Sequence, residues 1–260
     1  MKIINGREIA KQIRANTKKQ VIKMPDKPCL AVILVGDNPS SQIYVNKKEE
    51  ACAEAGIKFE KFLYKKITTK KLVSIIKKLN ERKEITGILV QLPLPKTLDT
   101  QKIINTISNK KDVDGFRKNS LAVSPVYEAI FESLKYARIN PKNKTVAIIT
   151  NSSTFGNPLK KMLQKISAKP KIFLKPKKQN FNEDIIISAL GKPEFISADM
   201  IKNAIVLIDI GITRVDGRIY GDADFKTFKK RKIWITPVPG GVGPMTVALL
   251  LRNILELRKK

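Results

Sequence analysis

Between Cys29 and Val35 the chain reads CLAVILV, seven apolar residues in a row, closed by the turn-forming stretch GDNPSS. A run of that length, rich in β-branched residues, predicts a strand buried on both faces. A helix is expected next, capped by Ser40 or Ser41 after Pro39 and stopped by Gly56. In KLVSIIKKL, Leu72, Ile75, Ile76 and Leu79 fall at i, i+3, i+4 and i+7, the spacing of an amphipathic helix, and ITGILVQLPLP supplies a second buried strand. The alternation resumes near residue 145. TVAIIT reads as a strand, GNPLKKMLQKI as a helix with Pro158 in its first turn, and KIFLK, DIIISAL and AIVLIDIGI as further strands. The loop SNKKDVDGF and the helix VYEAIFESLKYA separate the two series, and VALLLRNILEL ends the chain as a helix. Strands alternating with helices predict an α/β layer structure with mainly parallel strands, here in two units.

Composition narrows the chemistry. A chain of 260 residues suits two domains of ordinary size. Its 51 Lys and Arg against 23 Asp and Glu give a formal net charge of +28. Nucleic acid is the first partner such a charge suggests. The lysines are spread along the chain as pairs such as Lys18-Lys19, Lys77-Lys78 and Lys160-Lys161, without a zinc finger, an aromatic RNA-binding signature or a basic zipper. A solvated lysine-rich surface that attracts small anions is therefore preferred over a nucleic-acid face. The chain has no histidine, which excludes the Ser-His-Asp and Cys-His triads and the usual zinc and non-haem iron sites. Acid–base work falls to Lys, Asp, Glu, Tyr or Cys. Cys29 and Cys52 lie in a predicted strand and helix and read as small buried residues rather than a disulfide. No stretch approaches the about 18 apolar residues of a membrane span, and MKIINGREIA has no signal-peptide pattern, so a cytoplasmic location is expected.

Candidate chemistry then concentrates in a few short segments. Tyr44 and Lys48 are spaced i, i+4 and share a helix face, so one ligand can touch a ring and an ammonium group. Gln91 sits at the carboxyl end of a predicted parallel strand, where open α/β sheets place ligand groups. Asp114 lies in a tight loop beside Gly115. TNSSTFGNP, between a strand and a helix, offers backbone N–H groups suited to a pyrophosphate. TPVPGGVGPMT at 236–246 packs three prolines and three glycines into eleven residues, which demands a fixed path and close approach by something.

YVNKK at 44–48, VQLPLP at 90–95, KDVDGF at 111–116 and TPVPGGVGPMT occur in an order and at separations that closely resemble the bifunctional methylenetetrahydrofolate dehydrogenase/cyclohydrolase family. The resemblance runs from INGREIA to the final helix. It implies a folate-binding catalytic domain over residues 1–118 and a Rossmann-like NADP-binding domain over 119–243, with a cleft between them and the helix 244–260 packing back on the first. The implied catalytic residues are Lys48, Gln91 and Asp114: the lysine points at the one-carbon bridge, the glutamine positions and tunes it, and the aspartate holds the pterin. Partial burial would lower the lysine's pKa towards neutrality. Tyr44, Val90, Leu92, Pro239 and Gly240 are the implied further substrate contacts. Thr150, Asn151, Ser152, Gly156, Asn157, Ala189, Gly191, Gly211, Ile212 and Thr246 are the implied cofactor contacts, with Thr246 also capping the last helix. Tetrahydrofolate substrates, a nicotinamide cofactor, no metal and a homodimer complete what the family implies.

The chain also departs from the family pattern. Thr150 stands where a glycine is usual, a His-Ser pair after the next strand is replaced by FLKPKKQN, VSPVY replaces a Pro-Cys-Thr-Pro-x-Gly motif, and the stretch from Gly115 to Pro125 is about ten residues shorter. A side chain at position 150 is expected to crowd the phosphate. Lys175, Lys177 and Lys178 lie where an NAD-selective site would carry an acid, which favours NADP over NAD. The expected activity is oxidation of methylenetetrahydrofolate with NADP, followed by hydrolysis of the methenyl product to 10-formyltetrahydrofolate. The alternatives are a cyclohydrolase that has lost hydride transfer and a nucleic-acid-binding protein on the same scaffold.

Overall fold

The structure is a computed structural model that describes residues 1–259. In chain order the elements are β1 (Lys2–Ile3), α1 (Gly6–Ile22), β2 (Cys29–Val35), α2 (Pro39–Ala55), β3 (Lys58–Tyr64), α3 (Thr69–Glu81), β4 (Gly87–Val90) and α4 (Thr100–Thr106). There follow α5 (Pro125–Tyr136), β5 (Thr145–Thr150), α6 (Ser153–Lys165), β6 (Lys169–Leu174), β7 (Ile185–Ala189) and β8 (Val206–Asp209). A short hairpin of β9 (Thr213–Val215) and β10 (Arg218–Tyr220), then β11 (Trp234–Ile235) and α7 (Val242–Arg258), complete the chain. They form two compact units, one of residues Met1–Ile9 and Val126–Met245, the other of Ala10–Pro125 and Thr246–Lys260.

The unit built on Ala10–Pro125 carries a three-stranded parallel sheet ordered β3-β2-β4. Its central strand β2 is buried at every position, as its unbroken apolar run requires. On one side lies a cluster with Leu72, Ile76 and Leu79 of α3 against Ala31, Ile33 and Ile88. On the other, Leu250, Leu251, Ile254 and Leu255 of α7 pack with Leu30, Val32, Val45 and Cys52. Each Leu, Ile or Val among them contributes about 1.5–3 kcal/mol on burial. The second unit carries six parallel strands ordered β1-β11-β8-β7-β5-β6. Successive connections run from β5 to β6 on one side and then to β7 on the other, so the strand order reverses between β5 and β7.

Four expectations are corrected. The cap of α2 is Asn38, whose side chain accepts from Ser41 N at 3.1 Å, and Pro39 is the first helical residue; Ser40 and Ser41 are already in the helix. α6 begins at Ser153 with Ser152 as its cap, which places Pro158 inside the helix rather than in its first turn. α7 starts at Val242, so Thr246 lies within the helix and does not cap it. The first residues, placed by sequence with the catalytic unit, belong to the six-stranded unit, because β1 pairs with β11.

Candidate active site

α2 presents Tyr44 and Lys48 at the margin of its buried face, both half-buried, while Val45, Ala51 and Cys52 face the core. Lys48 Nζ donates to Gln91 Oε1 at 2.9 Å. Gln91 follows the last residue of β4, its backbone N–H donates to Ile33 O of β2 at 2.8 Å, and its Nε2 donates to Leu92 O at 2.7 Å. Both ends of the amide are thus committed, and the oxygen is the end turned to the lysine. Burial holds the Lys48 ammonium below the ordinary lysine range, opposed by the attraction of Asp114. Burial pushes the Asp114 carboxyl upward, opposed by Lys48 and reinforced by Asp112. Val90 is buried in the core, and Leu92 packs against the same cluster, so a ligand would meet their main chain before their side chains.

The loop bearing Asp114 is held in shape by Asp112, Gly115 and Asn253. Asp112 is buried and its carboxylate accepts from Gly115 N at 3.1 Å and Arg117 N at 2.9 Å. Gly115 has φ +66° and lies so close to Ser124 N and Ala122 O that a Cβ there would clash. Asn253 of α7, also buried, donates from Nδ2 to Val113 O and Val123 O, both at 2.9 Å, and so ties the two sides of the loop. An asparagine inside the apolar repeat VALLLRNILEL was the available signal.

In the other unit, the residues expected at the cofactor meet where the strand order reverses. Thr150 and Ala189 are register partners at the carboxyl ends of β5 and β7, the position at which open α/β sheets bind nucleotides. Thr150 is fully buried; its hydroxyl donates to Ala189 O at 3.4 Å and accepts from Ser152 N at 3.1 Å. The side chain is thus turned into the fold and braces the turn. Asn151 Nδ2 donates to Leu190 O, and Ser152 Oγ accepts from Phe155 N at 3.3 Å. Gly156 is pressed against Ile172 and Thr150, which lets α6 lie close to β5 and β6, and Asn157 beside it is exposed. Gly191 adopts φ +64°, Gly211 is buried after β8, and Ile212 is 48% exposed.

Sequence reasoning missed the two carboxylates behind these loops. Asp209 Oδ1 accepts from Gly211 N at 2.9 Å and Asp222 N at 3.1 Å, and its Oδ2 from Ala223 N at 2.9 Å. Asp222 Oδ2 accepts from Ser188 Oγ at 2.6 Å and Leu190 N at 2.7 Å, and its Oδ1 from Lys192 N at 2.8 Å. Burial, and then the neighbouring Asp222, push the Asp209 carboxyl up to about 7. The visible signal was each aspartate's proximity to glycine, in IDIG and YGDAD.

The Pro-Gly segment belongs to the same unit, and what presses on it is the chain itself. A Cβ on Gly6, the first residue of α1, would overlap Gly241 O, and one on Gly241 would meet Pro237 O at 2.5 Å. Gly240 adopts φ +110° beside the Arg7 guanidinium, and Pro239, exposed, follows a cis peptide bond. The two amino-terminal helix ends can approach this closely only without side chains.

Comparison with known proteins agrees with this arrangement. The family description "Tetrahydrofolate dehydrogenase/cyclohydrolase, catalytic domain" matches residues 4–114, and "Tetrahydrofolate dehydrogenase/cyclohydrolase, NAD(P)-binding domain" matches residues 124–260. The bifunctional protein FolD of Sulfurihydrogenibium sp. (strain YO3AOP1) is 41% identical over 280 residues, covering 100% of this chain and 98% of the relative. Among solved structures, the bifunctional enzyme FolD from Campylobacter jejuni superposes with a TM-score of 0.93 at 35% identity, covering 100% of this chain and 99% of that one. A methylenetetrahydrofolate dehydrogenase-cyclohydrolase from Trypanosoma brucei, solved with NADP cofactor and an inhibitor, superposes with a TM-score of 0.91 at 29% identity, covering 99% of this chain and 97% of that one.

Proposed function

The chain belongs to the tetrahydrofolate dehydrogenase/cyclohydrolase family, and on that premise we propose that it oxidises 5,10-methylenetetrahydrofolate with NADP and hydrolyses the methenyl product to 10-formyltetrahydrofolate, with Lys48 as the acid–base group. The observation that carries the assignment is the 2.9 Å bond from Lys48 Nζ to Gln91 Oε1, made by a lysine whose charged form burial disfavours. A fraction of neutral Lys48 can take the proton from a water attacking the methenyl carbon and return it afterwards, a role worth on the order of 10²–10⁴ in rate. Gln91 accepts one N–H and so sets the direction of the remaining Nζ valences. Asp114 opposes the fall in the lysine's pKa and offers a carboxylate to the pterin's N–H donors. Tyr44, one turn before Lys48, supplies the flat apolar surface for the folate ring.

The residues present suit a nicotinamide dinucleotide. The turn after β5 opens α6 with a serine cap, Thr150 is turned inward, and Gly191 and Gly211 line the neighbouring strand exits. When bound, the cofactor supplies the hydride acceptor. Lys175, Lys177 and Lys178 are exposed immediately beyond β6, with no acid among them to hold a ribose 2′-hydroxyl, which supports NADP over NAD. Purified protein given methylenetetrahydrofolate is expected to reduce NADP, with a lower KM than for NAD, and to hydrolyse methenyltetrahydrofolate without cofactor. Hydrolysis without any nicotinamide reduction would instead make it a cyclohydrolase alone.

A further inference from the structure

Asp209 and Asp222 lie on separate segments, and each is pressed against a glycine beside the other. A Cβ on Gly211 would sit 2.2 Å from the Asp222 carboxylate, and a Cβ on Gly221 would sit 2.1 Å from Asp209 Oδ2. The pair is thus an interlock: the glycine two residues after Asp209 makes room for Asp222, and the glycine just before Asp222 makes room for Asp209. Asp222 and Asp209 are 0% and 2% exposed. Between them they gather six donors, five backbone N–H groups and the Ser188 hydroxyl, and the Thr236 hydroxyl accepts from Asp209 N at 2.7 Å.

The donors come from the loops leaving β7 and β8, at Leu190, Lys192 and Gly211, and from the return segment at Asp222 and Ala223. Thr236 adds the exit of β11. The exits of β7 and β8 are therefore held by two almost fully buried carboxylates, and Thr236 ties the neighbouring exit of β11 to the Asp209 main chain. A buried acceptor of this kind holds geometry firmly, because each N–H left without it loses a charge-assisted bond. Neither carboxylate is exposed enough to touch a ligand.

We propose that Asp209 and Asp222 are positioning residues for the dehydrogenase reaction, shaping the β7 and β8 exit loops into the surface that receives the nicotinamide cofactor. This rests on the reading that those strand exits hold the cofactor. Asp222→Asn keeps the size but turns an N–H₂ towards N–H donors, and Ser188→Ala removes only the 2.6 Å hydroxyl. Phe228→Leu, a fully buried side chain in the core of the same unit, loosens the fold while leaving every hydrogen bond of the node in place.

The test is steady-state dehydrogenase kinetics on the full chain, with thermal melts of each variant. D222N is expected to raise KM for NADP about tenfold or more, and S188A a few-fold, with kcat at saturating NADP held within about threefold. F228L is expected to lower Tm and leave KM for NADP at the parental value. If D222N does not fold, S188A decides. Parental KM in D222N and S188A overturns the proposal, as does a KM in F228L that rises as far as theirs for the same loss of Tm. A parent that reduces no nicotinamide cofactor overturns the functional reading itself, a result distinct from either.

Discussion

At the scale of single residues, the proposed chemistry depends on a lysine whose charge burial disfavours. Burial lowers the Lys48 pKa from the ordinary 10.5, and Asp114 pulls it back. The cost of burying the charge is fully present below the folded pKa and fades as pH rises from there to the unfolded lysine's 10.5. Removing Asp114's charge therefore moves the folded pKa further down. In a protein labelled at lysine ε-carbons, the Lys48 resonance is expected to titrate below 10.5 and to titrate lower still in Asp114→Asn; an unchanged or raised midpoint contradicts the coupling. Tyr44, Lys48, Gln91 and Asp114 were singled out by the joint resemblance of YVNKK, VQLPLP and KDVDGF, since a Tyr four residues before a Lys says little by itself. Asp209, Asp222 and Asn253 were not, since their partners lie on other segments and short polar residues near glycine read equally as turns.

Among the elements, some of the lysines are bonded to main-chain carbonyls at helix ends. Lys27 Nζ donates to Val21 O, Ile22 O and Met24 O at 3.0, 3.2 and 3.0 Å, closing the carboxyl end of α1. Lys111 Nζ donates to Leu79 O and Arg82 O at 3.2 and 2.7 Å at the end of α3. Helix ends leave carbonyls without partners, and a cation there also meets the negative end of the dipole. Lys27→Met is expected to cost about 1 kcal/mol, read as a lower urea midpoint at unchanged slope; a midpoint equal to the parent's would mean the ammonium is only solvated. The sequence reading treated the lysines as one solvated surface because charge carries no address. It found β2, β4, β5, β7 and β8, whose runs are mainly apolar, and β6 through KIFLK. It passed over β3, an edge strand whose residues alternate between exposed and half-buried, and β1 and β11, whose two residues each become strand only through pairing.

For the whole molecule, the net charge of +28 favours anionic ligands such as a phosphorylated cofactor. Raising salt from about 0.01 M to about 0.1 M shortens the screening length from about 30 Å to about 10 Å. KM for NADP is expected to rise over that range while kcat stays level; a flat KM would leave the charge without a part in catalysis. The two-unit organisation was legible because strand and helix periods restart near residue 145, but the fate of the chain's first residues was not, since a two-residue strand has no periodicity of its own.

The most direct test replaces the group to which the proposed chemistry is assigned. Lys48→Met keeps the length of the side chain and removes Nζ, and Gln91 then loses its 2.9 Å partner without any change to the backbone. Folded K48M is expected to hydrolyse methenyltetrahydrofolate at least about a hundredfold more slowly than the parent and still to bind NADP. Turnover within about threefold of the parent, in a variant with unaltered melting, would contradict the assignment of Lys48.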